Sequence, residues 1–337
     1  RQEHTGIFRA KTTDTTMGIE DFENDCHSYM EKLMKQAPPR GDQAAIIFDL
    51  STKEQEAGLL SPWVSKEYLD SKYGSGKWRA LPRYVIKQGE KYRLIDNGKA
   101  GEHNLTYGAD ETIHTTCTSA GVALASHFRK ISGKPLKGMD RLHISTQDMW
   151  KAYRQIPCHE NQLKFMTVMV WHPTKSEWVF GESKGLLFGL TGAVLAFNRV
   201  PAFIVAVARR WLGIPVQNFF DDFRILDTAR SKGSANRFFC ILVEEILGFI
   251  VDPMKEQLPD VRNVFLGNLE EYSVPGHPDT MIVAPKPGRK ESLSEFIKTS
   301  LQRKVLSPGE AKTLGKNNSL RFYMCRKVGK RDSTFCQ

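Results

Sequence analysis

The pattern of apolar and polar positions turns on one stretch, Val216 to Thr228 (VQNFFDDFRILDT), in which strand-forming residues stand on both sides of two adjacent acids. Phe219 and Phe220 precede Asp221 and Asp222; Phe223, Ile225 and Leu226 follow them. This predicts two short strands folded back on each other with the carboxylates at the bend. Upstream, the pattern predicts a helix over Ile19 to Met34 that ends before Pro38 and Pro39, a second over Gln43 to Gly58, and a short one over Ser65 to Lys72. Pro82 to Ile95 reads as a hairpin turning at Lys87 to Glu90, and Glu111 to Ser132 as a helix with Val122, Leu124, Phe128 and Ile131 on its apolar face. Leu142 to Asp148 is a short strand ending in an acid, followed by a helical turn over Met149 to Ile156. Two strands joined at Pro173 to Ser176 come next. A long apolar helix then runs toward Leu212, with Pro201 predicting a kink or restart. Beyond the central stretch lie a helix over Ala235 to Leu247, a hairpin of Asn263–Gly267 with Glu270–Val274, and helices over Glu291 to Leu301 and Pro308 to Leu314.

Composition changes this picture in two respects. A net charge of +10 over 337 residues favours a polyanionic partner, and without a cationic amphipathic helix or lipidation signal nucleic acid fits better than a membrane surface. The cysteines (Cys26, Cys117, Cys158, Cys240, Cys325, Cys336) are scattered without zinc-site spacing, which predicts reduced thiols and an intracellular protein, cytoplasmic or nuclear. The longest greasy run, Ala202 to Leu212, is broken by Arg209 and Arg210, so no membrane span is expected. The chain opens on Arg1, from which a piece of a longer polypeptide is expected.

The candidate chemistry starts from Asp221 and Asp222. Paired acids at a hairpin tip repel unless a cation shares the site, and hard oxygen donors favour Mg2+ or Mn2+. Taken alone, an Asp-Asp pair is more often an exposed turn. Asp148 is its first companion: adjacent antiparallel strands would bring three acids together, the arrangement of two-metal phosphoryl transfer, although Asp before a helical turn is also a common N-cap. Lys87, Lys91 and Arg93 on the upstream hairpin suit a triphosphate or a nucleic-acid backbone, and equally a solvated strand edge.

Five segments now fall in a familiar order. VIKQGEKYRLIDNGKAGEHN (Val85 to Asn104), ISTQDMWKAYRQIP (Ile144 to Pro157), LLFGLTGAVLAFNRV (Leu186 to Val200), FFDDF (Phe219 to Phe223) and FLG (Phe265 to Gly267) resemble the fingers and palm motifs of reverse transcriptases, particularly those of long-terminal-repeat retroelements and retroviruses. The resemblance covers roughly residues 60 to 275. It implies that Asp148, Asp221 and Asp222 hold two Mg2+ ions (Mn2+ as a substitute), with the Met149 carbonyl as a further ligand. Lys87 and Arg93 would grip a deoxynucleoside triphosphate, and Tyr153 would act as a steric gate against a 2′-hydroxyl. Phe188 and Gly189 would support the nucleotide, and Phe265, Leu266 and Gly267 would contact the primer end. Lys255 lies near where the family places a lysine close to the leaving pyrophosphate; a solvated lysine is the equal alternative.

The sequence departs from the family at Gln147 (usually apolar), at Leu187 and Val194 (often proline), and at Phe219 (commonly tyrosine). No acidic partner for Gln147 is expected. The fold class expected is α+β, a right-hand polymerase with an antiparallel palm sheet, fingers and the start of a thumb. Residues 1–42 are read as lead-in or linker, 43–142 as fingers, 143–275 as palm with an interleaved fingers segment, and 276–337 as the basic start of a thumb or connection. The function implied is RNA-directed DNA synthesis on an RNA or DNA template with a primer; the oligomeric state is not implied. A catalytically inactive remnant that binds nucleic acid stands as the alternative, and an RNA-dependent RNA polymerase as a weaker one. Tyr153 and Phe220, where RNA polymerases usually have an acid and a glycine, point away from the latter.

Overall fold

The computed structural model describes residues 1–337 except 89–90, 117–118, 134, 273, 275–279, 304–305 and 308–337. The expected Pro308–Leu314 helix, the basic tail and part of the Lys87–Glu90 turn lie outside the described residues. In chain order the elements begin with β1 (Arg9–Thr13), α1 (Ile19–Asn24), α2 (Cys26–Met34), α3 (Gln43–Glu56), α4 (Lys66–Tyr73), β2 (Ala80–Gln88), β3 (Lys91–Asp96) and β4 (Ala109–Thr112). They continue with α5 (Ser119–Ser132), β5 (Leu142–Asp148), β6 (Thr167–His172), β7 (Glu177–Glu182), α6 (Thr191–Arg210), β8 (Val216–Phe219) and β9 (Asp222–Thr228). Last come α7 (Ser234–Cys240), β10 (Gln257–Asp260), β11 (Arg262–Phe265), β12 (Asn268–Glu271), β13 (Ile282–Pro285) and α8 (Arg289–Arg303). The protein is thus mixed α and β with several antiparallel sheets, in two compact units: residues 1–114 with 151–202, and residues 115–150 with 203–337.

The first unit is built on a four-stranded sheet in the order β3-β2-β6-β7, with β2 and β6 parallel and the other pairs antiparallel. The 14-residue α3 packs against it, with Ile47 next to Val170 and Val179. Ser65 caps α4 by accepting from the Tyr68 N–H, an arrangement that contributes about 1 kcal/mol. Residues 1–42, expected as a lead-in, belong to this core. Phe22, Cys26, Met30 and Leu33 are buried, and β1 pairs with β4. The expected helix from Glu111 fails for the same reason: Glu111 is strand, opposite Ala10, and its buried carboxylate takes an ion pair from Arg199 at 2.9 Å. The helix starts at Ser119.

The second unit contains a fully antiparallel sheet, β10-β5-β9-β8, and a smaller antiparallel one, β11-β12-β13. Side chains alternate across each strand, so the larger sheet has two distinct faces. On one, Phe223 meets Phe239 of α7 with ring centroids 5.0 Å apart. On the other, Leu142, Ile144 and Leu226 are buried with Leu136 and Tyr272, and Leu124 and Phe128 of α5 pack onto them. That second face also buries a cation: Arg224 is paired with Glu270 and Gln217, its guanidinium lies 4.7 Å from the Phe265 ring centroid, and Tyr272 donates to Glu270 at 2.6 Å. A Cβ added at Gly121 of α5 would come within 3 Å of that guanidinium, so glycine is what admits the helix so close.

One expectation about membranes is corrected. Among the described residues α6 is by length and composition apolar enough to span a bilayer. Arg209 and Arg210 stand in its last turn and do not interrupt it, and Pro201 lies within it. A buried core helix passes the same test, and Phe197 and Ile204 are fully buried.

Candidate functional site

The carboxylates belong to the second unit. In the β5–β9 ladder Asp148 is the direct partner of Asp222. The chain reverses between β8 and β9 at Phe220 and Asp221, with Phe220 in the left-handed region (φ 54°). The Met149 N–H donates to the Asp221 carbonyl at 3.1 Å, which ties the hairpin tip to the end of β5. Opposed antiparallel residues project on the same side, so Asp148 and Asp222 meet at one end of the face that buries Arg224 further along. Asp148 is 8% exposed.

The electrostatics follow from that crowding. Burial, a hydrogen bond to Asp148 and the charges of Asp221 and Asp148 push the Asp222 carboxyl up to about 7, against the pull of Lys255. Lys255 Nζ lies 2.6 Å from Asp148 Oδ1 and 3.7 Å from Asp252 Oδ2. Burial opposes the Lys255 charge, but the bond to Asp148 and the charges of Asp148, Asp252 and Asp221 hold its pKa above the ordinary value. The lysine is held by backbone stitching. The Asp252 N–H donates to the Asp148 carbonyl at 2.7 Å, the Trp150 N–H to the Ile250 carbonyl at 2.9 Å, and the Lys255 N–H to the Asp252 carbonyl at 3.0 Å. Lys255 is thus an exposed lysine whose ammonium is paired with Asp148, and Asp252 joins it as an acid that the motifs do not single out.

Beneath Asp148, Gln147 points to the opposite face and is buried. Its amide donates to Glu256 at 2.7 Å and to Asn236 at 3.0 Å. This acidic partner for Gln147 differs from the expectation of none. The partner comes from a segment 109 residues away, which no local pattern could disclose. Phe265 is buried under Arg224, while Leu266 and Gly267 form the tight β11–β12 turn, both with positive φ (50° and 75°). The Gly267 carbonyl accepts from Lys286 N–H at 3.0 Å.

The remaining predicted residues belong to the first unit. Tyr153 follows two residues of positive φ, Lys151 and Ala152, and its ring packs on Phe197 at 4.7 Å and edge-on to Phe188 at 5.7 Å. Tyr153, Leu187, Phe188, Gly189 and Val194 line an apolar cavity of about 260 Å³. Gly189 has φ 126°, and a Cβ there would stand 2.0 Å from the Asp96 carbonyl oxygen. The glycine is therefore required by the close approach of the Asp96 backbone. The turn is fastened by the Asp96 N–H to the Phe188 carbonyl (3.0 Å) and by Asn104, which donates to the Gly189 carbonyl (3.1 Å) and accepts from the Thr191 N–H (2.8 Å).

Lys87 and Arg93 are not brought together. In the β2–β3 register Lys87 opposes Tyr92 and Ile86 opposes Arg93, so the two cations project from opposite faces of the ribbon. Arg93 shares its face with Lys91. A joint grip by Lys87 and Arg93 on one triphosphate does not follow from this register.

Among the described residues no three His, Cys, Asp or Glu side chains already form a metal-ion group. The donor chemistry nevertheless fits a hard divalent cation: carboxylates crowded at one strand end, the Asp222 carboxyl pushed up to about 7 and the ammonium of Lys255 beside Asp148. No protein-family profile and no curated protein matches the chain.

Proposed function

We propose that this chain is an RNA-directed DNA polymerase of the long-terminal-repeat retroelement kind, with the β10-β5-β9-β8 sheet as its palm. The observation that carries the reading is the register Asp148 opposite Asp222, with Asp221 at the adjoining tip. It puts the acids of two separate resemblance motifs on one strand end. The motif order along the chain supports it independently.

Asp148, Asp221 and Asp222 would hold the divalent cations. Bound there, Mg2+ supplies the Lewis acidity that an attacking primer hydroxyl and a departing pyrophosphate require. The chain's own groups do the rest. Lys255 keeps a proton at Nζ beside Asp148 and offers positive charge next to the acids. Tyr153, backed by Phe197, presents a ring whose bulk excludes a ribose 2′-hydroxyl. Phe265 to Gly267 would contact the primer end, and template phosphates would meet the basic surface, which makes binding salt-dependent and largely indifferent to sequence.

The test is primer extension on poly(rA) with oligo(dT), dTTP and Mg2+, comparing the chain with its Asp221→Asn, Asp222→Asn double variant. Incorporation by the parent and its disappearance in the variant are expected. Absence of incorporation by the parent with intact salt-sensitive duplex binding would instead favour the inactive binding remnant.

A further inference from the structure

The first unit holds a buried charge network that the proposed chemistry does not use. Arg83 and Asp96 are direct partners in the β2–β3 register, so both project on one face of the ribbon. Onto it α3 presents Ser51 and Glu54, three residues apart and therefore on one side of the helix. Arg83 Nε reaches Asp96 Oδ1 at 2.7 Å, its Nη1 donates to Ser51 Oγ at 2.9 Å, and its Nη2 lies 2.8 Å from Glu54 Oε2. The same Glu54 oxygen takes a second guanidinium, that of Arg154, whose Nη2 lies 3.0 Å away and whose Nη1 donates to Ser183 Oγ at 2.6 Å. The side chains of Arg83, Asp96, Glu54 and Arg154 are each at most 12% exposed. Burial opposes the Glu54 charge, but Arg83 and Arg154 hold its pKa below the ordinary carboxylate value, so cations and anions balance.

The two ends of the network adjoin the two walls of the apolar cavity. Arg154 follows Tyr153, and its backbone is fixed as closely as its side chain: a Cβ added at Gly185 would stand 2.1 Å from the Arg154 carbonyl oxygen. At the other end the Asp96 N–H donates to the Phe188 carbonyl at 3.0 Å, and the Asp96 carbonyl lies against Gly189. Tyr153, Phe188 and Gly189 line the one cavity, so a continuous run of ion pairs joins the residues next to its two walls. Apolar residues of the same volume often stabilise a core as well as buried ion pairs do, whereas ion pairs demand exacting geometry. What these pairs supply is a fixed separation.

We propose that Arg154, Glu54, Arg83 and Asp96 are positioning residues for sugar selection, setting the gap between Tyr153 and the Phe188–Gly189 turn. Resting on the polymerase reading, this extends selection to residues that touch no nucleotide.

The test compares Glu54→Gln, which leaves two guanidiniums around a neutral amide, with the double variant Glu54→Gln, Arg154→Met, which removes one charge of each sign and keeps the Arg83–Asp96 pair. Both cut the link to Tyr153. Opposite poly(rA), the ratio of rUTP to dTTP incorporation should rise about fivefold in both, through kcat/KM for rUTP, with kcat for dTTP within about twofold of the parent's. Urea denaturation should place the double variant closer to the parent than Glu54→Gln, because its charges balance. A ratio that returns to the parent's as stability returns would make the network merely structural and overturn the proposal. So would an unchanged ratio in both variants. A second readout needs no catalysis. In protein labelled with fluorotyrosine, the Tyr153 fluorine resonance, assigned by its absence in Tyr153→Phe, should move in Glu54→Gln and stay in Lys53→Ala, which breaks only the exposed pair with Asp49 on the same helix. A parent that incorporates neither nucleotide would overturn the polymerase reading and sugar selection with it; an unmoved resonance in an active chain would overturn the positioning alone.

Discussion

Asp148 and Asp222 are direct cross-strand partners, and burial together with that neighbour lifts the Asp222 carboxyl to about 7. In an unfolded chain the same group ionises near 4, so folding favours its protonated form. The stabilisation this represents is complete below about pH 4 and is lost as pH rises through about 7. A divalent cation held by the ionised acids offsets the loss. Saturating Mg2+ should therefore raise the melting temperature at about pH 8 and leave it unchanged at about pH 5. Asp222→Asn cannot ionise, and in EDTA at about pH 8 it should melt roughly 2–4 °C above the parent while losing most of the Mg2+ response. Thermal melts at the two pH values decide the matter; an equal Mg2+ response in parent and variant would remove these acids as a cation site.

Lys255 would compete with a cation for Asp148. Its Nζ sits 2.6 Å from Oδ1, so a cation approaching that carboxylate meets a like charge. Lys255→Met should tighten Mn2+ binding about fivefold, the effect of roughly 1 kcal/mol of removed repulsion. It should also lower the melting temperature of the cation-free protein at neutral pH. Titration calorimetry with Mn2+ reads the first effect; weaker Mn2+ binding in the variant would mean that the ammonium organises the acids instead of competing.

Behind the acids, Arg224 and Glu270 are each no more than 1% exposed and are paired with each other. Removing one partner strands the other charge, so Arg224→Met should cost about 3–5 kcal/mol. Replacing both, Arg224→Met with Glu270→Leu, should recover most of that loss, because two desolvated charges are exchanged for packing. Urea denaturation of the single and double variants measures the coupling; additive losses would show that the pair does not act as a unit.

Much of this arrangement was legible in the chain. The β5 strand ends at Asp148 as expected, and the β8–β9 hairpin forms because strand-formers crowd both sides of its bend, which lies at Phe220 and Asp221, one residue earlier than expected, with Asp222 already in β9. What escaped were partners distant in sequence. Glu256 for Gln147 and Glu270 for Arg224 stand 109 and 46 residues away, beyond the reach of any local pattern. Glu111 was misread because four strand residues opposite β1 carry too little periodicity of their own. That Lys87 and Arg93 take opposite faces also escaped, because the face a strand residue takes depends on register, and a shift of one residue reverses it.

Tyr153 is placed by packing, which gives the steric-gate reading a quantitative consequence. Its ring rests on the fully buried Phe197 and lines the cavity shared with Phe188 and Gly189. If that ring limits the sugar, shortening it should admit rUTP opposite poly(rA), raising the ratio of rUTP to dTTP incorporation by roughly 10–100-fold, equivalent to about 1.4–2.8 kcal/mol of barrier. Tyr153→Val keeps a branched apolar group against Phe197 and so separates the gate from loss of packing. Phe197→Leu, which removes the support and leaves the ring, should give a smaller rise, and deoxynucleotide incorporation should persist in both variants. Single-nucleotide incorporation kinetics measure the ratio. An unchanged ratio in Tyr153→Val, with dTTP incorporation intact, would make Tyr153 a core aromatic and leave sugar selection to other residues.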